Sequence, residues 1–307
     1  MRGRPVRERS RQTAAQRVRR GIRAAAVVLT LGLPSVASAH PPVSLVLDGR
    51  GNLYFSDLRN VRVLRPDGSI EVAVSDVHTH ELWLGPDGAV YGEDVTNVGD
   101  DYRHRVWRIE PDGTVTDVIS WRDGYPDEHH DYGFQRDARG NTFVLRRDAR
   151  SIEVRDPARA LLREIPLQDT AGFLHWLTVS PDGLVHVAIG PDLYRVEPGE
   201  ASAEVVARNL VERTPEFDFV HDRHALMGMW TDARGAICVS VYSGQVVKCV
   251  SPRGEVTDLV RSSGKWSPVG GRIRPDGGHW LLEWSSDNEV RVRAIAADGT
   301  ERFFEAS

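Results

Sequence analysis

Histidines recur at related positions along this sequence. Eight of its eleven histidines lie eight to fourteen residues before one of six regularly spaced glycines. They are His40, His78, His80, His129, His130, His175, His221 and His224. Imidazole is a common ligand of zinc and iron, and it exchanges a proton near neutral pH more readily than other side chains do. The pattern therefore predicts a metal centre or an acid–base site where the histidine-bearing segments meet.

His80 and His175 are the strongest candidate metal ligands because each lies eight residues before its glycine. His130 is the predicted third ligand, and His224 is a further candidate at the rim of the site. Zinc or iron is favoured as the divalent cation, since calcium would need more oxygen ligands. The alternative for each histidine is a structural role, in which its ring hydrogen-bonds to backbone at the end of a strand.

Three further residues near these histidines are candidate catalytic groups. Glu81 follows His80, and Asp131 and Tyr132 follow His130. A carboxylate beside a metal site can act as a general base, and a tyrosine can take part in proton abstraction. We therefore assign candidate catalytic roles to Glu81, Asp131 and Tyr132.

The six glycines belong to a cassette that occurs six times. These cassette glycines are Gly51, Gly88, Gly140, Gly183, Gly235 and Gly277. Each ends a turn of the Pro-Asp-Gly or Asp-x-x-Gly kind, and each copy contains four strand-length segments over about 45 residues. This period predicts an all-β fold, a six-bladed β-propeller of four-stranded antiparallel blades. The innermost strands of a propeller line a central channel, so the histidines of different blades should converge on its axis.

Two long connections should border the entrance to that channel. Residues 93–105 separate the second and third strands of blade two, and residues 211–224 lead into blade five. Both kinds of connection open on the same face of a propeller. Glu93, Asp94, Asp100 and Asp101 in the first connection could hold a cation or a cationic substrate, although such acidic runs are more often solvated loops.

The first 39 residues have the features of a signal peptide. They hold nine arginines and one glutamate, an apolar run at residues 24–33, and Ala37-Ser38-Ala39 as a cleavage site. The run is too short to span a bilayer. We therefore expect a periplasmic or secreted protein with a single domain at residues 40–307. Arg19-Arg20 leaves twin-arginine export as one route.

The charge that remains after residue 39 bears on possible partners. Residues 40–307 carry 30 basic and 43 acidic side chains. Such an acidic surface repels nucleic acid and anionic membranes, so we expect neither as a partner. A small-molecule substrate and a monomeric protein are the expectations.

Cys238 and Cys249 are the two cysteines of the chain. A tight hairpin at Ser243-Gly244 would place them opposite each other in neighbouring strands of blade five. In an exported protein this pairing predicts a disulfide. The alternative is a pair of small apolar residues that happen to face each other.

The cassette around residues 48–63, with Asp48, Gly51-Asn52-Leu53-Tyr54, Asn60 and Arg62-Val63, resembles an NHL repeat. Residues 43–305 are similar to the six-bladed propellers of the gluconolactonase group, which includes senescence marker protein and regucalcin. The segments GPDGAVYGED and RVWRIEPDG also resemble repeats of virginiamycin B lyase.

The gluconolactonase resemblance implies a divalent cation in the axial channel that polarises a lactone carbonyl. Peptidylglycine α-amidating lyase, another NHL propeller, implies a histidine-liganded zinc at positions that match His80 and His175. The Glu-Gly-Pro and Asn-Gly entries typical of gluconolactonases are absent, and Val43 and Tyr132 stand in equivalent places.

Three functional hypotheses follow from these observations. The first is a metal-dependent hydrolase of a lactone or related ester. The second is a metal-dependent lyase of the virginiamycin B or amidating type. The third is a non-catalytic propeller that binds a ligand or a protein.

Overall fold

The computed structural model describes residues 41–99, 101–110, 112–125, 135–137, 139–167, 170–197, 200 and 202–305. The predicted signal peptide lies outside these residues. So do His130, Asp131 and Tyr132, three of the predicted site residues.

The described strands form six antiparallel sheets, each made of strands that are consecutive in sequence. Blades one to three contain β1 Leu45–Leu47, β2 Leu53–Ser56, β3 Asn60–Leu64, β4 Ile70–Ser75, β5 Leu82–Leu84, β6 Val90–Val98, β7 Asp101–Ile109, β8 Val115–Asp123, β9 Thr142–Arg146, β10 Ser151–Arg155 and β11 Leu161–Pro166. Blades four to six contain β12 Leu174–Val179, β13 Val185–Ile189, β14 Asp192–Val196, β15 Glu204–Ala207, β16 Leu226–Thr231, β17 Ile237–Val241, β18 Val246–Val250, β19 Val256–Arg261, β20 Trp266–Ile273, β21 His279–Ser285, β22 Val290–Ile295 and β23 Glu301–Glu305.

Blade three is the one sheet with three strands among the described residues, in the order β11-β10-β9. A bridge between Arg136 and Thr142 marks the position of its innermost strand beside β9. The predicted six-bladed propeller is therefore confirmed, and its blades form a ring.

The cassette turns form for the reason that the sequence predicts. All six cassette glycines have φ between 78° and 85°, a backbone region that other residues rarely adopt. In blade one the carboxylate of Asp48 accepts hydrogen bonds from the backbone N–H groups of Arg50 and Asn52, at 2.8 and 2.9 Å. Asp232 makes the same pair of bonds in blade five. This local chemistry fixes where each innermost strand ends.

The ring closes by packing of blade six against blade one. Strand β20 contacts β1, and blade six consists of its own four consecutive strands. One apolar core extends from blade four through blades five and six into blade one, and it includes Val292, Leu282, Phe55 and Leu53. The faces of neighbouring blades thus bury each other.

The innermost strands of blades four, five and six carry a β-bulge at equivalent positions. The pairing shifts between Leu174 and Leu177, between Leu226 and Met229, and at Val269. A bulge bends the strand and re-aims the extra side chain. The residues at these bulges include His175, so this histidine stands out of the regular alternation of its strand.

The expectation of a loop at residues 93–105 is wrong. Strands β6 and β7 pair without interruption from Val90 with Ile109 to Val98 with Asp101, which makes a long hairpin. Glu93 and Asp94 are buried, with 3% and 5% of their surface exposed. The residues pair as strands because the hairpin packs against the start of its own innermost strand, a contact that the local sequence does not reveal.

The second long connection, residues 211–224, contains two short 3-10 helices, Pro215–Phe217 and Asp222–His224. Phe217 is completely buried and anchors the connection on the core. Neither helix, nor any other helix of the described chain, has the length and apolar content needed to cross a bilayer.

The predicted disulfide between Cys238 and Cys249 is confirmed. The two residues face each other in β17 and β18, in the predicted register. The connection differs from the predicted two-residue turn: it is a 3-10 turn at Tyr242–Gly244 followed by Gln245 in the left-handed conformation.

Candidate functional site

The candidate site lies at the mouth of the propeller, meaning the face where the innermost strands begin. In blade two the strand is preceded by an entry segment, residues 78–81, that β6 holds in place. Oε1 of Glu93 accepts the backbone N–H groups of His80 and Glu81, at 2.8 and 2.9 Å. Oδ1 of Asp94 accepts the backbone N–H of His78 at 2.9 Å. Two adjacent carboxyl groups therefore position both histidines of the entry segment.

His78 and His80 form a hydrogen-bonded imidazole pair. Their Nε2 atoms are 2.9 Å apart, and their rings meet edge to face with centroids 4.6 Å apart. Nδ1 of His78 is 3.1 Å from the carbonyl oxygen of Leu58, so Nδ1 must carry the proton of this ring. Nε2 of His78 then accepts the proton that Nε2 of His80 donates. The pair holds one proton between its two facing nitrogens.

Glu93 is a carboxyl group without contact to solvent. Its Oε2 atom is buried and has no hydrogen-bond partner in the described chain. Burial raises the pKa of Glu93 to about 8, and the charge of neighbouring Asp94 adds to the effect. Burial outweighs the two backbone N–H groups, which favour the charged form. At neutral pH most Glu93 side chains are therefore protonated.

His175 occupies the corresponding position in blade four and is 2% exposed. Its Nδ1 lies 3.1 Å from the carbonyl oxygen of Arg223, in the 3-10 helix Asp222–His224. Burial lowers the pKa of His175 to about 4, so the ring is neutral at physiological pH. Because Nδ1 donates to a carbonyl, Nε2 carries the lone pair. A neutral imidazole fixed in this tautomer is suited to bind a metal or accept a proton.

The remaining predicted residues occupy separate places. Glu81 is buried, with 5% of its surface exposed, and lies beside His80 in the entry segment. His224 ends the second 3-10 helix and is half-buried, and its backbone N–H donates to the carbonyl of His221. Within the described ranges, no group of three or more His, Cys, Asp or Glu side chains could hold a metal ion. With His130 and Asp131 outside those ranges, the metal centre remains a prediction.

Sequence reasoning missed His78 as the direct partner of His80 and gave Glu93 a solvated position. The spacing His-x-His before a strand was the available signal for the first. Residues two apart in an extended segment point the same way, so their rings can meet. No signal in the sequence announces that Glu93 is buried.

The axial channel is narrowed where blades one, five and six meet. A Cβ atom on Gly270 would lie 1.9 Å from the carbonyl oxygen of Val43, and one on Gly228 would lie 2.9 Å from Cα of Gly270. Only glycine permits backbones to approach this closely. Beyond this constriction is a cavity of about 270 Å³ that all six blades line.

The chain resembles known proteins in structure but not in sequence. No protein-family model matches the chain, and no curated protein sequence matches it. Virginiamycin B lyase from Staphylococcus aureus is 13% identical over 87% of this chain and 85% of its own, with a TM-score of 0.54.

Two further solved structures have similar coverage. A streptogramin B lyase is 14% identical over 87% of this chain and 84% of its own, with a TM-score of 0.55. A glucose dehydrogenase is 13% identical over 84% of this chain and 96% of its own, with a TM-score of 0.58. These identities establish a shared fold and no more. The chain is therefore a six-bladed β-propeller, with a fold similar to that of these lyase and dehydrogenase structures.

Proposed function

We propose that this chain is an enzyme that opens a lactone or related ester, with its reaction centre at the mouth of the propeller. The observation that carries the proposal is the imidazole pair of His78 and His80, held at the mouth by the buried carboxyl groups of Asp94 and Glu93, respectively. A clamped pair of histidines beside a protonated carboxyl is an arrangement suited to proton transfer.

The imidazoles also fit a divalent cation. Two nitrogens bound to one ion at about 2.1 Å would be about 3.0 Å apart at the right angle of an octahedral site and about 3.4 Å apart in a tetrahedral zinc site. The Nε2 atoms of His78 and His80 are 2.9 Å apart. His78 and His175 each donate Nδ1–H to a backbone carbonyl, the usual outer contact of a metal-binding histidine. We therefore propose His78 and His80 as two ligands, with His130, which lies outside the described residues, to complete the set.

A bound cation would act as a Lewis acid toward the ester carbonyl. The side chains of the protein would transfer protons and position the reacting groups. The two facing nitrogens of His78 and His80 share a single proton in the structure, and they would give it up to bind the cation. Glu93 keeps the entry segment in position, while Glu81 and Asp131 are the proposed general bases. Tyr132 is the remaining candidate for proton abstraction.

A lyase is the second candidate function. Two of the similar structures are lyases, and one solved complex of virginiamycin B lyase holds quinupristin. Proton removal by Tyr132, or by a histidine that does not bind the cation, would suit an elimination. Product analysis separates the two reactions, since hydrolysis yields an acid and an alcohol and elimination yields an unsaturated product.

The test uses the protein recovered after the proposed export and cleavage at residue 39. Its metal content is measured, and its activity is assayed against lactones and against esters open to elimination. We expect one divalent cation per chain and a loss of activity of at least a hundredfold in His78→Ala and His80→Ala.

His186→Gln is the matched control because His186 is a buried histidine on β13, away from the mouth. It should retain metal and activity. Full activity in His80→Ala would contradict the proposed centre. A metal-free wild-type protein without turnover would instead favour the non-catalytic hypothesis.

A further inference from the structure

The axial cavity contains an unusual arginine. Arg272 lies on β20 and lines the cavity, and it is the one charged residue among the described residues that do so. Most of the lining residues belong to the innermost strands of the six blades. They lie closer to the cassette turns than the level of Gly270 does. His78, His80, His175 and Glu93 are absent from this lining, although Val43, which belongs to it, donates its backbone N–H to the carbonyl of His80 at 3.3 Å.

Arg272 has no side-chain hydrogen bond, ion pair or ring contact within the described chain. The other described arginines of blade six are engaged. Arg274 pairs with Asp276 at 2.8 Å, and Arg291 pairs with Glu283 at 2.6 Å. Arg293 also contacts Glu283, and Arg302 lies over the ring of Phe304. Arg272 alone in this group lacks a partner for its guanidinium.

The environment of Arg272 makes this isolation costly. The side chain is half-buried, and burial lowers the pKa of Arg272. A guanidinium removed from water is stabilised by an anion, above all by a carboxylate that accepts two parallel hydrogen bonds. The described lining provides no such anion, so the charge is available to a ligand.

The other walls of the cavity indicate what the ligand would look like. Trp83 of blade two and Trp230 of blade five are both almost fully buried and both line the cavity. Each is fixed in position: Trp83 stacks on Tyr91, and Nε1 of Trp230 donates to His279 at 3.3 Å. Rigid indoles favour a flat apolar body. Thr178 and Gln135 add polar groups at the same level of the channel.

We propose that the axial cavity binds a small organic carboxylate with a flat apolar body, whose charge pairs with Arg272 and whose body packs against Trp83 and Trp230. The volume of about 270 Å³ is large enough for a ligand the size of a substituted benzoate. The proposal does not rest on the ester-opening centre.

Binding of benzoate to the purified protein tests the proposal, with saturation-transfer NMR and calorimetry as the measurements. Benzamide, which has the same shape without the charge, should bind at least tenfold more weakly than benzoate. Raising the salt concentration should weaken benzoate alone. Equal affinities for the two compounds would overturn the proposal without the need for any variant.

Arg272→Gln should weaken benzoate binding at least tenfold. Arg274→Gln is the matched control because Arg274 lies two residues along and pairs with Asp276, outside the cavity. His80→Ala should bind benzoate as the wild type does, which separates this site from the one at the mouth. If Arg272→Gln does not fold, Arg272→Lys should fold and prefer benzoate over benzamide by a smaller factor. Undiminished benzoate binding in Arg272→Gln would overturn the proposal.

Discussion

At the scale of single residues, position in the fold decides the chemistry of the ionisable groups. Glu93 and Asp94 are adjacent in sequence and have different surroundings. Asp94 pairs with Arg105 at 3.1 Å, whereas one oxygen of Glu93 is buried without a partner. The first is a structural ion pair, and the second is a protonated carboxyl that organises the entry segment.

Glu93→Gln should keep the stability of the wild type, whereas Glu93→Ala should lower it. Glutamine resembles the protonated carboxyl and keeps the oxygen that accepts the N–H groups of His80 and Glu81. Alanine leaves those two buried donors without an acceptor, at a cost of about 1–3 kcal/mol in the free energy of unfolding. Urea denaturation at pH 7 measures both. Equal stability of the two variants would show that the clamp does not contribute.

His186, which lies away from the mouth, should make the free energy of unfolding depend on pH. Burial, with a smaller contribution from Arg195, lowers the pKa of His186 to about 4, below its ordinary value of 6.5. Between these values the unfolded chain binds more protons than the folded chain, so the free energy of unfolding falls as the pH falls. His186→Gln should reduce the loss between pH 7 and pH 4.5 by about 2 kcal/mol. If the free energy of unfolding fell equally with pH in the wild type and in His186→Gln, the lowered pKa of His186 would be contradicted.

At the scale of elements, the connection at residues 211–224 links the core to the mouth. Phe217 is buried and packs on Tyr242 with ring centroids 5.2 Å apart. The same connection provides the carbonyl of Arg223 that orients His175. Phe217 is therefore one of the buried side chains, with Val220, that hold a segment on which a candidate site residue depends.

Phe217→Ala should destabilise the protein by about 3–5 kcal/mol because it leaves a cavity in the core. The amides of residues 211–224 should also exchange hydrogen faster. Phe219→Ala provides the control, since Phe219 is the aromatic neighbour in the same connection and 60% of its surface is exposed. It should change stability by less than about 0.5 kcal/mol. A similar loss in both variants would mean that Phe217 is no special anchor.

At the scale of the whole molecule, the ring depends on close backbone packing at its axis. The blades are built locally, but blades one, five and six must meet at Val43, Gly228 and Gly270. This contact narrows the channel, and Val43 and Gly228 also line the axial cavity.

Gly270→Ala should impair ring closure. Its methyl group would lie 1.9 Å from the carbonyl oxygen of Val43, so the backbones of blades one and six would have to move apart. We expect a loss of at least about 3 kcal/mol in the free energy of unfolding. Gly49→Ala is the control because its methyl group would meet nothing within 4 Å. Thermal denaturation of both variants measures the loss. A melting temperature equal to that of the wild type for Gly270→Ala would contradict the role of this contact.

The sequence by itself determined the fold and one covalent link. The cassette turns depend on glycine and on aspartate side chains within a few residues, so their spacing was sufficient to predict six blades. The pairing of Cys238 with Cys249 followed from the register of a single hairpin. These features are local, and local chemistry can be deduced from neighbouring residues.

The tertiary structure decided which groups are buried and which are paired. The hairpin of β6 and β7, the clamp by Glu93 and the isolation of Arg272 all depend on residues that are distant in sequence. Desolvation and ion pairing arise from the complete surroundings of a side chain, and those surroundings exist only when the blades have assembled. For that reason the sequence located the histidines of the mouth without revealing the His78–His80 pair or the charge in the axial cavity.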